Sequence, residues 1–349
     1  MNKKLTIILD NAPSSHKEGI LEIIEKSTDL IIIHIASEKD SIHPSEGSLK
    51  NVSFEDRRFR INHKNNNLKI KNYLNNLCID NIYSKGYESI VILYSFLDIR
   101  RLNLVNYLSN ILLKKINSVE LIPHLEPIRV NDLFVIPRLI KTSLSLFFQC
   151  KIMKVRTLYI TSNLNSYIYK IFFKNIYSLP YQESKSYRLN YINEERVDSL
   201  KIFNIIFIGQ FIKRKDPLTL IYAFKKLKFR AHLNLVGTGP LLRRCKSIVS
   251  KEFKDKTLTC NFHGHVPHGD ILKLLKTNHV LVLPSRFDGY GFVVSEAIDC
   301  NTYSIVSSEV GSKDLLEKGS IGSIFKVGSI SQLANQLSLH FIRSGFPNA

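Results

Sequence analysis

Short apolar, β-branched runs recur along this chain, and amphipathic stretches of helical period lie between most of them. Residues 5–9, 30–35, 90–94 and 158–161 read as buried strands in the first half, and residues 204–209, 232–236, 279–284 and 303–307 do so in the second. A strand covered on both faces is apolar throughout, and parallel neighbours need a long crossover, usually a helix. The pattern therefore predicts α/β architecture, with parallel sheets wound by βα units.

At 349 residues the chain is too long for one compact core. Residues 182–198 are polar, lack apolar periodicity and end just before a clean strand. They suggest two Rossmann-like domains, 1–190 and 191–349, with the last helix free to pack back on the first domain. Ligands of such sheets bind at the carboxyl ends of strands, so a cleft between the halves is the expected place for chemistry.

Composition narrows the partners. With 44% hydrophobic and 23% charged residues the chain is that of a folded protein. Lys and Arg total 49 against 30 Asp and Glu, a formal +19 that points to a polyanion: nucleic acid, an acidic membrane face or a phosphate-bearing small molecule. The five cysteines are scattered, with no CxxC pair, which argues against a zinc site or a disulfide framework and fits a reducing compartment. The apolar run behind Lys3 and Lys4 is too short for a signal-peptide core, and no stretch approaches the 18 apolar residues of a spanning helix. The expectation is a cytoplasmic protein whose membrane contact, if any, is peripheral on the inner face.

Three stretches in the second half carry chemistry. In residues 204–227 a strand ends at Gly209, and Lys213, Arg214 and Lys215 follow. Asp216 and Pro217 then suit an N-cap and a first turn, and Leu220, Ile221, Phe224 and Leu227 share one helix face. Bases between a strand end and a helix start suit a diphosphate, although charge runs are usually just solvated. In residues 232–245 a strand runs into Gly237-Thr238-Gly239-Pro240, with Pro240 expected at the first helical position. By itself that is equally an ordinary strand-to-helix turn. In residues 279–300 a strand stops at Pro284, a loop holds Asp288, Gly289, Tyr290 and Gly291, and a helix starts near Phe292 with Glu296 inside it. Two carboxylates eight residues apart can then face one ligand and accept from sugar hydroxyls. A capping role would explain Glu296 but not the Asp288-Gly-x-Gly loop.

Residues 204–327 resemble the donor domain of family 4 of the retaining glycosyltransferases, which have the GT-B fold. The matching segments come in the family's order: the strand-Gly-x5-Lys loop, the G-x-G-P turn, Phe262-x-Gly264-x-Val266, LPSRFDGYGFVVSEA and EVGSKDLLEKGSIGSIF. The resemblance implies that Glu296 grips the donor ribose and Asp288 contacts the transferred hexose. Lys215 would hold the diphosphate, helped by amides around Gly291 and Phe292. Gly209, Gln210, Gly237, Gly289 and Tyr290 would line the same donor site, and His265 and Val266 would frame the base. Two departures stand out. Gln210 replaces a usual diphosphate-binding Arg, a charge Arg214 could supply, and Asp288 stands where Glu is usual.

The first half matches the family only in outline. Its first loop, residues 10–19, has a single Gly where a glycine-rich loop is expected, and it carries His16 and Lys17. Residues 119–127 nominate His124 for the reacting centre, against an ordinary buried His, with Glu126 a lesser candidate. Residues 100–115 and 133–148 are basic, amphipathic stretches that pack on the sheet or lie on anionic lipid.

What the resemblance implies is hexose transfer with retention from a UDP- or GDP-sugar. The acceptor would be a saccharide or a lipid-linked carrier, in lipopolysaccharide, O-antigen or capsule assembly. No metal and no cofactor are expected beyond the nucleotide-sugar substrate. A catalytically inactive GT-B partner protein at the membrane is the alternative, and nucleic acid is disfavoured because no basic-aromatic RNA motif is present.

Overall fold

In a computed structural model of the chain, the described residues are 4–10, 29–36, 58–62, 82, 86–94, 99–125, 136–179, 202–253, 257–316 and 321–346. The chain divides into two compact units, Met1–Lys185 and Ser186–Ala349.

The first unit is a parallel sheet of β1 (Lys4–Asp10), β2 (Asp29–Ala36), β3 (Arg58–Asn62), β4 (Ser89–Tyr94), β5 (Ser118–Leu125), β6 (Thr157–Ile160) and β7 (Asn175–Ser178). The strand order is β3-β2-β1-β4-β5-β6-β7, parallel at every pairing. Helix α1 (Ile99–Leu112) crosses from β4 to β5 and buries Leu102, Val105, Leu108 and Leu112 at helical spacing. Helix α2 (Ile136–Phe147) runs on into a π-helical turn, Phe148–Ile152, and a 3₁₀ helix spans Ser166–Ile171.

The second unit is a parallel sheet of β8 (Phe203–Ile208), β9 (Ala231–Val236), β10 (Leu258–Gly264), β11 (Val280–Leu283), β12 (Tyr303–Ser307) and β13 (Gly322–Phe325), in the order β10-β9-β8-β11-β12-β13. Its helices are α3 (Pro217–Phe224), α4 (Leu242–Glu252), α5 (His268–Lys276), α6 (Val293–Asp299), α7 (Lys313–Leu316) and α8 (Ile330–Arg343). Successive residues of a strand point to opposite faces, so β11 splits its apolar run between two cores. Val280 and Val282 join α3, α4 and α8, while Leu281 and Leu283 join α5 and α6. This explains why the expected strands are apolar throughout.

Both units are therefore doubly wound and Rossmann-like. In each, strand order reverses beside the first strand, between β1 and β4 and between β8 and β11. The crevice at such a reversal is where ligands of open parallel sheets bind.

Two local expectations need correction. Helix α4 begins at Leu242, not at Pro240, because a turn comes first: the amide of Leu242 bonds the carbonyl of Gly239, at 3.0 Å. Leu227 is buried but lies beyond the end of α3 at Phe224. The last helix, α8, buries Leu333, Leu337 and Phe341 in the core of its own unit.

Candidate functional site

The loops after β8, β9, β10 and β11 carry the motif residues, and backbone bonds tie the first three together. The Gly209 amide donates to Val236, the Phe211 amide to Thr238 and the Gly237 amide to Gly264, at 3.0, 2.8 and 2.7 Å. Gly237 has φ +129, and a Cβ there would lie 2.0 Å from the Gly209 carbonyl oxygen. A Cβ at Gly239, where φ is +147, would lie 2.8 Å from the Phe211 carbonyl oxygen. The G-x-G pair thus lets backbone pack on backbone, a structural need sufficient to explain both glycines.

The basic loop after β8 is closed by bonds from the amides of Lys215 and Asp216 to the Ile212 carbonyl, each 3.1 Å. Asp216 sits at the N-cap of α3 as expected, but in the left-handed region at φ 47 and without capping through its side chain. Its carboxylate instead accepts from Thr219 Oγ1 and from Arg286 Nε, both at 2.9 Å. A non-glycine residue held there carries backbone strain, which the two side-chain bonds and the buried setting offset.

The loop after β11 meets that basic loop. The Arg286 amide donates to the Arg214 carbonyl at 2.7 Å, and Arg214 Nη1 donates to the Phe287 carbonyl at 3.1 Å. Asp288 is buried, and its carboxylate pairs with Lys215 and lies 4.0 Å from Arg214 Nη1. A Cβ added at Gly209 would lie 3.8 Å from Lys215 Cδ, so the lysine stem passes beside the strand end. Three sequence-nominated residues, Lys215, Arg214 and Asp288, therefore form one charge cluster at the β8–β11 reversal.

The same loop is latched on its other side. Asp288 bridges Val310 in parallel fashion, through its amide to the Glu309 carbonyl and its carbonyl to the Gly311 amide, both 2.9 Å. Ser312 binds the Tyr290 carbonyl through its amide and the Gly291 carbonyl through Oγ, at 2.6 and 3.2 Å. Gly291 has φ +78, and a Cβ there would press to 2.7 Å of Val310 Cγ1. The glycine is set by conformation and by space together.

Glu296 is 4% exposed on α6, and its Oε1 lies 2.5 Å from Nε2 of His268, the first residue of α5. A buried carboxylate needs such a partner, since burying an unpaired charge is strongly unfavourable. His265 is exposed in the turn after β10, and Val266 packs on the α5–α6 core. Gln210 is exposed beside the basic loop. His124 lies within β5, buried, with Nε2 2.9 Å from the Leu179 carbonyl. His16, Lys17, Glu126 and the stretch 182–198 lie outside the described residues.

Sequence reasoning missed His268, Arg286 and the carboxylate role of Asp216. Arg286 sat in view inside SRFDGYG, but His268 answers Glu296 across 28 residues and no local signal marks that pairing. Among the described residues, no three His, Cys, Asp or Glu side chains converge on a metal-sized site. Four described cysteines, Cys150, Cys245, Cys260 and Cys300, are free thiols.

Comparison with known proteins bears on the second unit first. Residues 193–341 match the family described as Glycosyl transferases group 1. An uncharacterized glycosyltransferase of Methanocaldococcus jannaschii is 26% identical over 123 residues, 35% of this chain and 33% of that protein. The chain spans less than half the length of the curated relatives it matches. Across the whole fold, Anabaena HepE in complex with UDP superposes with TM-score 0.68 at 13% identity, covering 98% of this chain and 90% of HepE. A lipopolysaccharide outer core galactosyltransferase in its apo form gives TM-score 0.64 at 13% identity, with the same coverage of each chain. Both Rossmann-like units here share the fold of these solved neighbours. The family match thus falls within the second unit, on the stretch that holds the basic loop and the latched acidic loop.

Proposed function

We propose that this protein is a retaining glycosyltransferase that moves a hexose from a UDP- or GDP-sugar to a saccharide or lipid-linked acceptor. The observation that carries the reading is the charge cluster at the β8–β11 reversal, where Lys215 and Arg214 converge on Asp288. The binding of UDP by Anabaena HepE supports a nucleotide donor. A diphosphate entering here would take over Lys215 and Arg214, free Asp288 for hexose hydroxyls, and leave Glu296 to accept from the ribose.

In the reaction, the bond from the sugar C1 to the diphosphate oxygen breaks and the acceptor oxygen bonds C1 on the same face. The acceptor proton passes to the departing diphosphate. Lys215 and Arg214 would stabilise the charge that develops on that leaving group, where fixed charge lowers a barrier most effectively. The galactosyltransferase neighbour acts on lipopolysaccharide outer core, which favours assembly of a bacterial surface polysaccharide as the setting.

The test is to titrate UDP and GDP against thermal unfolding, then to assay a panel of UDP- and GDP-sugars. A ligand at a hundred times its Kd adds about 2.7 kcal/mol to the folded state, a shift of a few degrees. One nucleotide should raise the melting temperature, and a sugar bearing it should turn over. Silence with both nucleotides and every sugar would overturn the reading. That result would favour a catalytically inactive GT-B partner protein, which Gln210, in place of a cation beside the basic loop, makes the second choice.

A further inference from the structure

Residues 136–179 contain seven Lys and Arg and no Asp or Glu, so 44 of the 349 residues supply seven charges of the net +19. Two parts of that stretch meet at the surface of the first unit. The π-helical turn after α2 and the segment after the 3₁₀ helix are joined by a bond from Cys150 Sγ to the Phe172 carbonyl at 2.9 Å. The Asn175 amide adds a bond to the Arg156 carbonyl at 3.1 Å. Between them lies an open groove of about 260 Å³. Phe147, Ile171 and Phe172 form apolar walls, and Lys151, Arg156 and Lys174 ring it with positive charge.

Of the apolar residues lining the groove, Phe147 and Ile171 are turned toward solvent, while Val155 is buried and Phe172 half-buried; chain neighbours add to the exposed apolar surface. Ile171 is 80% exposed, and Leu144, Phe147, Ile152 and Tyr167 are each more than half exposed. Leu144, Phe147 and Lys151 follow one another at helical spacing along α2 and its π extension, all facing out. Scattered exposed apolar residues are ordinary, but several around one groove mark an interaction surface. We infer that this groove and its rim are a docking surface for an anionic phospholipid bilayer. Phe147, Ile171 and Ile152 would enter the interfacial layer, and Lys151, Arg156 and Lys174 would meet headgroup phosphates.

Charge complementarity is the argument. A surface of cations alone suits any polyanion, and apolar side chains alone suit many partners. The two together, without one acid in the stretch, match the boundary between headgroups and acyl chains. The sequence offered residues 100–115 and 133–148 either to the sheet or to lipid, and the surface assigned here overlaps only the end of the second stretch. In the structure α1 is largely buried on the sheet, and the exposed apolar rim lies toward the end of α2 and beyond. The inference stands whether or not the second unit transfers sugar.

The test uses the full chain in vesicle sedimentation, with phosphatidylcholine alone and with phosphatidylcholine containing one third phosphatidylglycerol. Wild type should bind the anionic vesicles at least tenfold more tightly. Each groove cation is worth about fivefold, so Lys151→Gln, Arg156→Gln and Lys174→Gln combined should weaken binding about a hundredfold. Ile171→Ser, at a site too exposed to disturb folding, should weaken it about tenfold. A control triple on α4, Arg243→Gln, Arg244→Gln and Lys251→Gln, removes as many charges without touching the groove and should change it less than about threefold. Melting temperatures within about 2 °C of wild type in every variant would exclude unfolding as the cause. Equal losses in the groove and control triples would overturn the inference. So would equal binding to both vesicles, or a wild type that ignores vesicles yet holds a random DNA duplex.

Discussion

Positive charge is deployed differently in the two units. Around the site of the second, bases stand opposite acids: Lys215 and Arg214 with Asp288, Arg286 with Asp216, His268 with Glu296. In residues 136–179 of the first unit there is no acid in the stretch to stand opposite its seven bases. A base tied to a buried carboxylate is held in one geometry, which suits recognition of one small ligand. Lys151, Arg156 and Lys174 instead ring an apolar groove, which suits an extended surface of many headgroups. Net charge alone could not separate these uses, and the arrangement of acids does.

Backbone closeness offers the sharpest way to break the comparison. Gly237→Ala drives a Cβ into the Gly209 carbonyl at a φ of +129, and it should destabilise the second unit by about 3 kcal/mol or more in urea unfolding. Gly86 of the first unit also has positive φ, at +67, but no atom lies within 4 Å of its added Cβ. Gly86→Ala should therefore lower stability by only about 1 kcal/mol, from backbone strain alone. Similar losses at both sites would mean that the loops of the second unit are no more tightly locked.

Next in size is Glu296→Ala, which should cut transfer at least about a hundredfold, or about 2.7 kcal/mol, and abolish the UDP- or GDP-induced rise in melting temperature. Wild-type turnover in that variant would sink the site assignment. Lys215→Ala leaves a buried carboxylate short of its main partner and should destabilise by about 2 kcal/mol, while Lys151→Ala should stay within about 0.5 kcal/mol. Adding Asp288→Ala to Lys215→Ala should recover part of the loss, and strict additivity in that cycle would show that the pair is not coupled.

The smallest effect concerns pH. Burial pushes the thiols of Cys245 and Cys260 in the second unit up to about 11 and about 12, and that of Cys150 in the first up to about 11. Above pH 9 the unfolded chain sheds protons that the folded thiols keep, so stability falls as pH rises toward 11. Fully buried Cys245 should contribute about 1 kcal/mol of loss near pH 10, read as the difference between Cys245→Ala and wild type in urea. A pH-independent difference would argue against that burial.

Much of the fold was legible because strands packed on both faces cannot avoid a continuous apolar run. All eight expected strands are present, with ends shifted by a residue or so. The strands that no run announced include β3, β7, β10 and β13, and each of these lies at the edge of its sheet. An edge strand is only half covered, so it reads as mixed polar text, as in RFRIN and LTCNFHG. In the site, the order of loops followed from the strand pattern, and it was the family resemblance that set Asp288, Lys215 and Arg214 around one donor. His268 and the Val310–Ser312 latch could not, because both arise from chain segments that meet only when the sheet forms.

The resident pairing of Lys215 with Asp288 has a consequence for how a ligand would be admitted. With Lys215 held by Asp288, a diphosphate would be taken up at that lysine by partner exchange, not by simple attraction to open charge. Added salt weakens the outgoing contact along with the incoming one, so the two changes largely cancel. Nucleotide affinity should then vary little with ionic strength, while adhesion through the groove of the first unit should fade steeply over the same range.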